Sequence, residues 1–377
     1  MIEYRRARPE EREAYIAFAD MVFQDQGTDI HFEQALPKVY GRDMETAEMQ
    51  YIAVDDAEGI RGLVAVLPNK LRVGGEVLKT GYIGTVSVHP ESRGQGHMKR
   101  LMAQALDAMR ADGVDLALLG GQRQRYEYFG FVRAGVADRF TATARNLRHA
   151  LTEVLVDGIR FEEILPDTPL ERAVQVLHDG RKCCFDRGTP GFATVCRSYG
   201  GRPWAAIENR ELLGFAVASA DSEVLTDVCV QEAAALDRVL KAWILNRQVK
   251  ALTVLLPDWE RGLIRRLNGW AESLSCGACL MARFFDYPKV LRAFLELKGG
   301  YARLEDGALE LDCEGQVFTL RVRNGKAEVA DGAEHPLGLN ALEAGRLFFE
   351  LFDYEGRPET PAGWFPLPLF ASAPDGF

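Results

Sequence analysis

The stretch VSVHPESRGQGHMKRLM, residues 86–102, restricts the local fold more than any other part of the chain. An apolar run has to stop near Pro90. A helix has to begin soon after Gly96, because Met98, Leu101, Met102, Ala105, Leu106 and Met109 recur at helical spacing. The connection between them, Arg93-Gly94-Gln95-Gly96, carries two glycines. Glycine accepts positive φ and lets the backbone come close to a ligand. The first N–H groups of a helix lack intrahelical acceptors, and the helix dipole favours negative charge there. The segment therefore reads as an anion-binding turn between a strand and a helix.

Two common phosphate turns fit it poorly. A P-loop needs two glycines five residues apart, followed by Lys and Ser or Thr. A dinucleotide fold needs a third glycine and a parallel βαβ unit. Here His97, Met98 and Lys99 follow Gly96, and the preceding segment reads as an antiparallel meander. Its apolar runs YIAV, GLVAVLP, LRVGG and YIGTVSV are separated by Gly, Asp and Asn turn signals. Ile2 to Arg6 reads as a strand and Pro9 to Phe23 as a helix. Beyond the turn, VDLALLGG reads as a buried strand, and RQRYEYFGFVRAG as a short helix, a glycine turn and a strand.

From about residue 159 a similar order recurs, ending in SLSCGACLMARFF, read as one strand. Where the first copy has VSVHPESRGQGHMKRLM, the second has VCVQEAAALDRVLKAWI. Strand and helix persist there without the Arg-Gly-x-Gly turn, so the second copy is expected to keep the packing and lack the anion site. Trp204, Trp243, Trp259 and Trp270 of this copy read as core. The last ninety or so residues differ again. Helical YPKVLRAFLELK precedes short strands with turns at Glu314-Gly315 and Asn324-Gly325, then helical NALEAGRLFFELF. The apolar, proline-broken end FPLPLFASAPDGF is expected to be docked.

A chain of 377 residues suggests two or three domains. The formal net charge of -10 argues against a broad nucleic-acid surface. No apolar run reaches the ~18 residues a membrane span needs, and MIEYRRARPEEREAY lacks a signal-peptide core. A cytoplasmic location without membrane or nucleic-acid partners is expected. The seven cysteines are odd in number and scattered, which points to reduced thiols. Cys276-Gly-Ala-Cys279 has CxxC spacing without a second pair, and no metal is expected.

At Pro90, Arg93 and Gly96 the sequence resembles the GNAT superfamily of acetyl-coenzyme A-dependent N-acetyltransferases, with Met98 in place of the usual last small residue. The whole layout resembles the enhanced intracellular survival family: an active GNAT domain, a degenerate one, and a C-terminal domain like a sterol carrier protein. The resemblance implies an α+β fold. Tandem mixed, mostly antiparallel sheets with helices on both faces would occupy residues 1–150 and 151–286, with a smaller α+β domain at 287–377. It implies that the amides of Arg93, Gly94, Gln95, Gly96, His97, Met98 and Lys99 hold the coenzyme A pyrophosphate, and that Val86, Ser87 and Val88 pair with the pantetheine arm. It implies Tyr126 of Arg-Tyr-Glu-Tyr-Phe-Gly-Phe as general acid, with Tyr128 as a competitor, and the carboxylate of the terminal Phe377 as proton acceptor. It further implies homo-oligomers, hexamers among them.

The chemistry is coherent. The amine must lose a proton to attack a thioester, and the departing thiolate gains from a nearby phenol. An α-carboxylate, with a reference pKa of about 3.5, is a weak base unless burial or a water relay helps it. It can equally anchor a cationic amine. His89 and His97 flank the turn and read as exposed. Phe23, Asp25 and Asp29 follow the first helix and are candidates for an acceptor cleft, its acidity suiting a polyamine. The expected acceptor is an amine on a polycationic small molecule or a lysine. The alternative is a non-catalytic acyl-CoA or lipid-binding protein.

Overall fold

Apolar alternation on both sides of Gly74-Gly75 produces a long hairpin of strands Gly59–Val73 and Glu76–Val88, with Val73 opposite Glu76. The computed structural model describes residues 1–377. The runs GLVAVLP and LRVGG, expected as two strands, form this single 15-residue strand. On one side of it, the neighbour Gln50–Asp55 reaches Ala65 and the neighbour Cys183–Phe185 begins at Leu71. Pro68 lies between the two, where that side has no strand partner and a missing N–H is tolerated.

Around the hairpin the first sheet runs in the order Ile2–Arg6, Gln50–Asp55, Gly59–Val73, Glu76–Val88, Leu116–Leu119, Leu280–Phe284, Val132–Ala134. All its pairs are antiparallel except Glu76–Val88 with Leu116–Leu119. The second sheet runs Ser273–Gly277, Ala137–Thr143, Ala251–Pro257, Val224–Val230, Glu211–Ala218, Arg202–Glu208, Ile159–Glu163. Its one parallel pair, Val224–Val230 with Ala251–Pro257, occupies the corresponding place. The tandem α+β architecture expected from the repeat is present.

The two sheets also exchange strands. SLSCGACLMARFF is two strands rather than one: Ser273–Gly277 in the second sheet and Leu280–Phe284 in the first. Ala137–Thr143, early in the chain, lies in the second sheet. Local pattern cannot reveal such an exchange, because an apolar strand satisfies either sheet equally.

Helix His97–Ala111 buries Leu101, Met102, Ala105, Leu106 and Met109, as its spacing requires. Its counterpart Ala235–Arg247 buries Trp243, against whose cluster Trp204 and Trp270 pack, while Trp259 joins the first core. The C-terminal unit has a four-stranded sheet, Lys326–Asp331, Gln316–Arg323, Gly307–Cys313, Leu337–Leu339, with helices Tyr287–Gly299 and Ala341–Phe349. Its Phe318, Phe348 and Trp364 share one buried cluster with Leu71, Leu78 and Phe377. The apolar tail is thus docked by the burial of large side chains, each worth about 1.5–3 kcal/mol. All seven cysteines are free. No helix is long and apolar enough to cross a membrane.

Candidate active site

The site begins where two parallel strands part. Pairing of Glu76–Val88 with Leu116–Leu119 ends at Ile83 opposite Leu119. Beyond that point one strand continues to Val88, while the other chain turns away through Gly120-Gly121. A bulge opposite Leu63–Ala65 falls at the divergence. There Thr85 adopts φ 51, a strained value for a β-branched residue. Tyr40 holds it by donating to the Thr85 hydroxyl at 2.8 Å. Past the bulge, His89 N–H donates to Arg61 C=O. By alternation, Ser87 faces its strand neighbour, and the backbone groups of Val86 and Val88 face the opened gap.

The gap leads to the glycine turn. Gly94 and Gly96 have φ 83 and φ 84, and no protein atom lies within 4 Å of a Cβ built on either. The N–H groups of Gly94, Gly96, His97, Met98 and Lys99 donate to no protein acceptor, whereas Gln95 N–H is spent on Ser92 C=O. Five unpaired donors at a helix start favour an anion; the N–H of Arg93, also expected among them, is spent on Pro90 C=O. The five face a cleft of about 520 Å³ lined also by Val86, Val88, Arg93 and Gln26. Ser87 and Gln95 do not line it; the Ser87 hydroxyl donates to Thr85 C=O.

The histidine expectation needs correction. His97 is buried, with Nδ1 at 2.8 Å from the Tyr4 hydroxyl. The first helical turn rotates its side chain toward Gly62, whose missing Cβ leaves it room. Burial lowers its pKa. Only its backbone is offered to an anion. Substituting alanine at both Gly94 and Gly96 forces non-glycine residues into a left-handed backbone. The expected result is at least a tenfold rise in Kd for coenzyme A by titration calorimetry, about 1.4 kcal/mol.

A second cavity, about 320 Å³, adjoins the cleft and shares Gln26, Val86 and Arg125 with it. Tyr126 and Phe377 both line it, together with Phe23, Ile30, Phe32 and Tyr199. Residues 251 positions apart in sequence (126 to 377) thus face one space. Tyr126 lies against Gly121: a Cβ there would come within 2.6 Å of its ring. Burial raises the Tyr126 pKa, so the phenol is protonated at neutral pH. Tyr128 is 70% exposed, lies under the Lys99 ammonium and lines neither cavity. The expected loop acids do not face the cavity either. Asp25 pairs with Arg93 at 2.9 Å, and Asp29 is exposed.

Residues that pattern reading did not single out hold the terminus in place. Gly84 presses against it: a Cβ on Gly84 would meet the Phe377 carbonyl carbon at 2.8 Å and its ring at 2.6 Å. The glycine inside YIGTVSV was the available signal, since a strand glycine often marks close approach of another backbone. Lys38 is buried and donates to the carbonyls of Pro374 and Gly376; burial pushes its pKa down to about 8. Asp375 receives Arg187 through two contacts, 2.8 and 2.9 Å, and Arg187 also meets Asp227 at 2.8 Å. Arg181 completes the series at 2.9 Å from Asp227. The contacts of Lys38 and Arg187 with the tail were not accessible from local sequence, because their partners come from separate units.

Residues 3–134 match the family model described as an acetyltransferase (GNAT) domain. No curated protein matches the chain. Solved structures share its fold over nearly the whole length. A GCN5-related N-acetyltransferase from Anabaena variabilis is 17% identical, with a TM-score of 0.66, over 93% of this chain and 91% of that one. A conserved protein from Enterococcus faecalis, described as a probable N-acyltransferase, is 14% identical, with a TM-score of 0.67, over 92% and 90%. Eis1 from Mycobacterium abscessus is 12% identical, with a TM-score of 0.63, over 93% and 89%. At these identities the likeness is one of fold.

Proposed function

We propose that the GNAT domain at residues 3–134 makes this chain an acetyl-CoA-dependent N-acetyltransferase acting on a primary amine. Tyr126 serves as general acid and the Phe377 carboxylate as proton acceptor. The observation that carries the reading is the junction of two spaces. A cleft under five free amides adjoins, across Gln26, Val86 and Arg125, a cavity lined by both Tyr126 and Phe377.

The amides of residues 94 and 96–99 would hold the diphosphate, and the open edge at Val86 and Val88 would pair with the amide-bearing arm. The thioester supplies an activated acetyl group. In the transfer, the amine nitrogen bonds to the acetyl carbonyl carbon and the carbon–sulfur bond breaks. The ammonium proton passes to the Phe377 carboxylate, directly or through water, and the thiolate receives the Tyr126 hydroxyl proton. The resulting phenolate regains a proton from solvent or from the carboxyl group. A phenol with a raised pKa is a weak acid, so its hydrogen bond to the sulfur first supports the developing charge and the proton transfers late.

Free thiol should appear from acetyl-CoA only when an amine is present. Tyr126→Phe should lower kcat about 10²-fold with much less change in the acetyl-CoA KM. The rival, a non-catalytic acyl-CoA or lipid-binding protein, requires saturable binding, no thiol release with any amine, and indifference to Tyr126→Phe. The proposal includes the division into active GNAT, degenerate GNAT and sterol-carrier-like units. The second unit's helix starts at Ala234 in right-handed conformation, without the glycine turn, which supports a single active site. A cytoplasmic location and assembly into a homo-oligomer belong to the same proposal.

A further inference from the structure

The cavity beyond the thioester position has an unusual charge distribution for an amine site. Phe23, Ile30, Phe32 and Tyr199 form its outer wall, and no aspartate or glutamate side chain lines it. Its only charged side chain is Arg125. Of the nearby acids, Asp25 pairs with Arg93 and Asp20 accepts from the backbone N–H of Phe32, while Asp29 is exposed and does not line the cavity. A polycation placed here would bury second and third ammonium groups beside an arginine, with no carboxylate side chain to pair them. Unpaired buried charge is strongly unfavourable.

One wall residue comes from the second unit. Tyr199 has φ 55 and ψ 34, a left-handed backbone that a bulky residue rarely adopts. Its side chain is 49% exposed yet lines the cavity, so it stands at the rim. Strain kept at such a place is usually retained for what it positions. The segment that carries Tyr199 packs beside the helix Phe32–Ala35, where Phe23 and Phe32 meet edge to face at 4.9 Å between ring centres. The cavity these three rings line suits a flat apolar group whose single amine points toward Phe377, which lines the same space.

We infer that the acceptor is a primary amine carried on one apolar or aromatic body, an arylalkylamine by chemical class, and not a polycation or a peptide lysine. This rests on the transferase reading above and narrows it. Arylalkylamine rings pack on Phe23, Phe32 and Tyr199, and the one amine is the only group needing a polar partner.

The test is steady-state thiol release from acetyl-CoA by the full chain with 2-phenylethylamine, butylamine, spermidine and a lysine-containing peptide. The expected kcat/KM for 2-phenylethylamine exceeds those for spermidine and the peptide at least tenfold. Tyr199→Ala should raise the 2-phenylethylamine KM about tenfold and the butylamine KM much less, whereas Tyr199→Phe should retain the wild-type ratio. Preference for spermidine or the peptide overturns this inference and leaves the transferase reading standing. An equal effect of Tyr199→Ala on both monoamines also overturns it. No thiol release with any of the amines, while coenzyme A still binds, overturns the transferase reading itself.

Discussion

Adding two glycines after Phe377 lowers kcat for amine-dependent thiol release by about 10²-fold, while the Kd for coenzyme A changes less than threefold. The last residue packs its ring and carbonyl carbon directly on Gly84, and its side chain joins the first core. Extra residues convert the carboxylate to a neutral amide and must also find a way out of a filled wall. The cleft under the free amides, where the coenzyme is proposed to bind, lies on the other side of the shared boundary and does not include Phe377. Gly84→Ala separates position from charge. It keeps the carboxylate but pushes the terminus away, and should also lower kcat more than coenzyme affinity. Full activity in the extended protein, measured by thiol release under saturating acetyl-CoA, would remove the terminal carboxylate from the mechanism.

Arg187→Met should destabilise the protein by about 3–5 kcal/mol, because it leaves a buried carboxylate without its cation. Asp375 is 6% exposed and Arg187 0% exposed, so water cannot take over. Asp227 still has Arg181, whereas Asp375 keeps only Ser372 as a short-range side-chain partner. In the native protein, burial by itself would raise the Asp375 pKa, but the Arg187 guanidinium reverses this and holds it well below the carboxylate range. A depressed folded pKa gives stability that is present above the unfolded value near 3.9 and lost as pH falls through the folded value. Without Arg187, burial prevails and the Asp375 pKa rises above the unfolded value. The sign then reverses, and the variant's deficit narrows as pH falls from 7 toward 4. Adding Asp375→Asn should recover part of the loss at pH 7. Thermal denaturation of the three proteins at pH 4.5 and pH 7 checks this. An equal deficit at both pH values would defeat the explanation.

Legibility in the sequence followed the range of each interaction. The strand, glycine turn and helix of residues 86–111 were readable because their causes are local: apolar period, positive φ and unfilled first-turn donors. The buried face of that helix, the repeat in the second unit and its lack of the turn were readable for the same reason. The histidine at the turn misled because a polar residue at a helix start usually faces water, and only Gly62 on a neighbouring strand provides the space that buries His97. The acidic segment suggested a cationic cleft, but Asp25 pairs with Arg93, Asp29 is exposed, and neither lines the cavity.

The sequence by itself determined that this chain places a two-glycine turn between strand and helix once and repeats the surrounding fold without it. Only the tertiary structure decided what stands beside that turn. The strand exchange at Leu280–Phe284, the parting of two strands after Ile83, and the ion series from Arg181 to Asp375 bring the first helix, the second unit and the last residue into one cavity. The physical reason is that backbone conformation is set by neighbours along the chain. Cavity chemistry is set by which side chains meet after burial, and residues as distant as Tyr126, Tyr199 and Phe377 carry no local mark of that meeting.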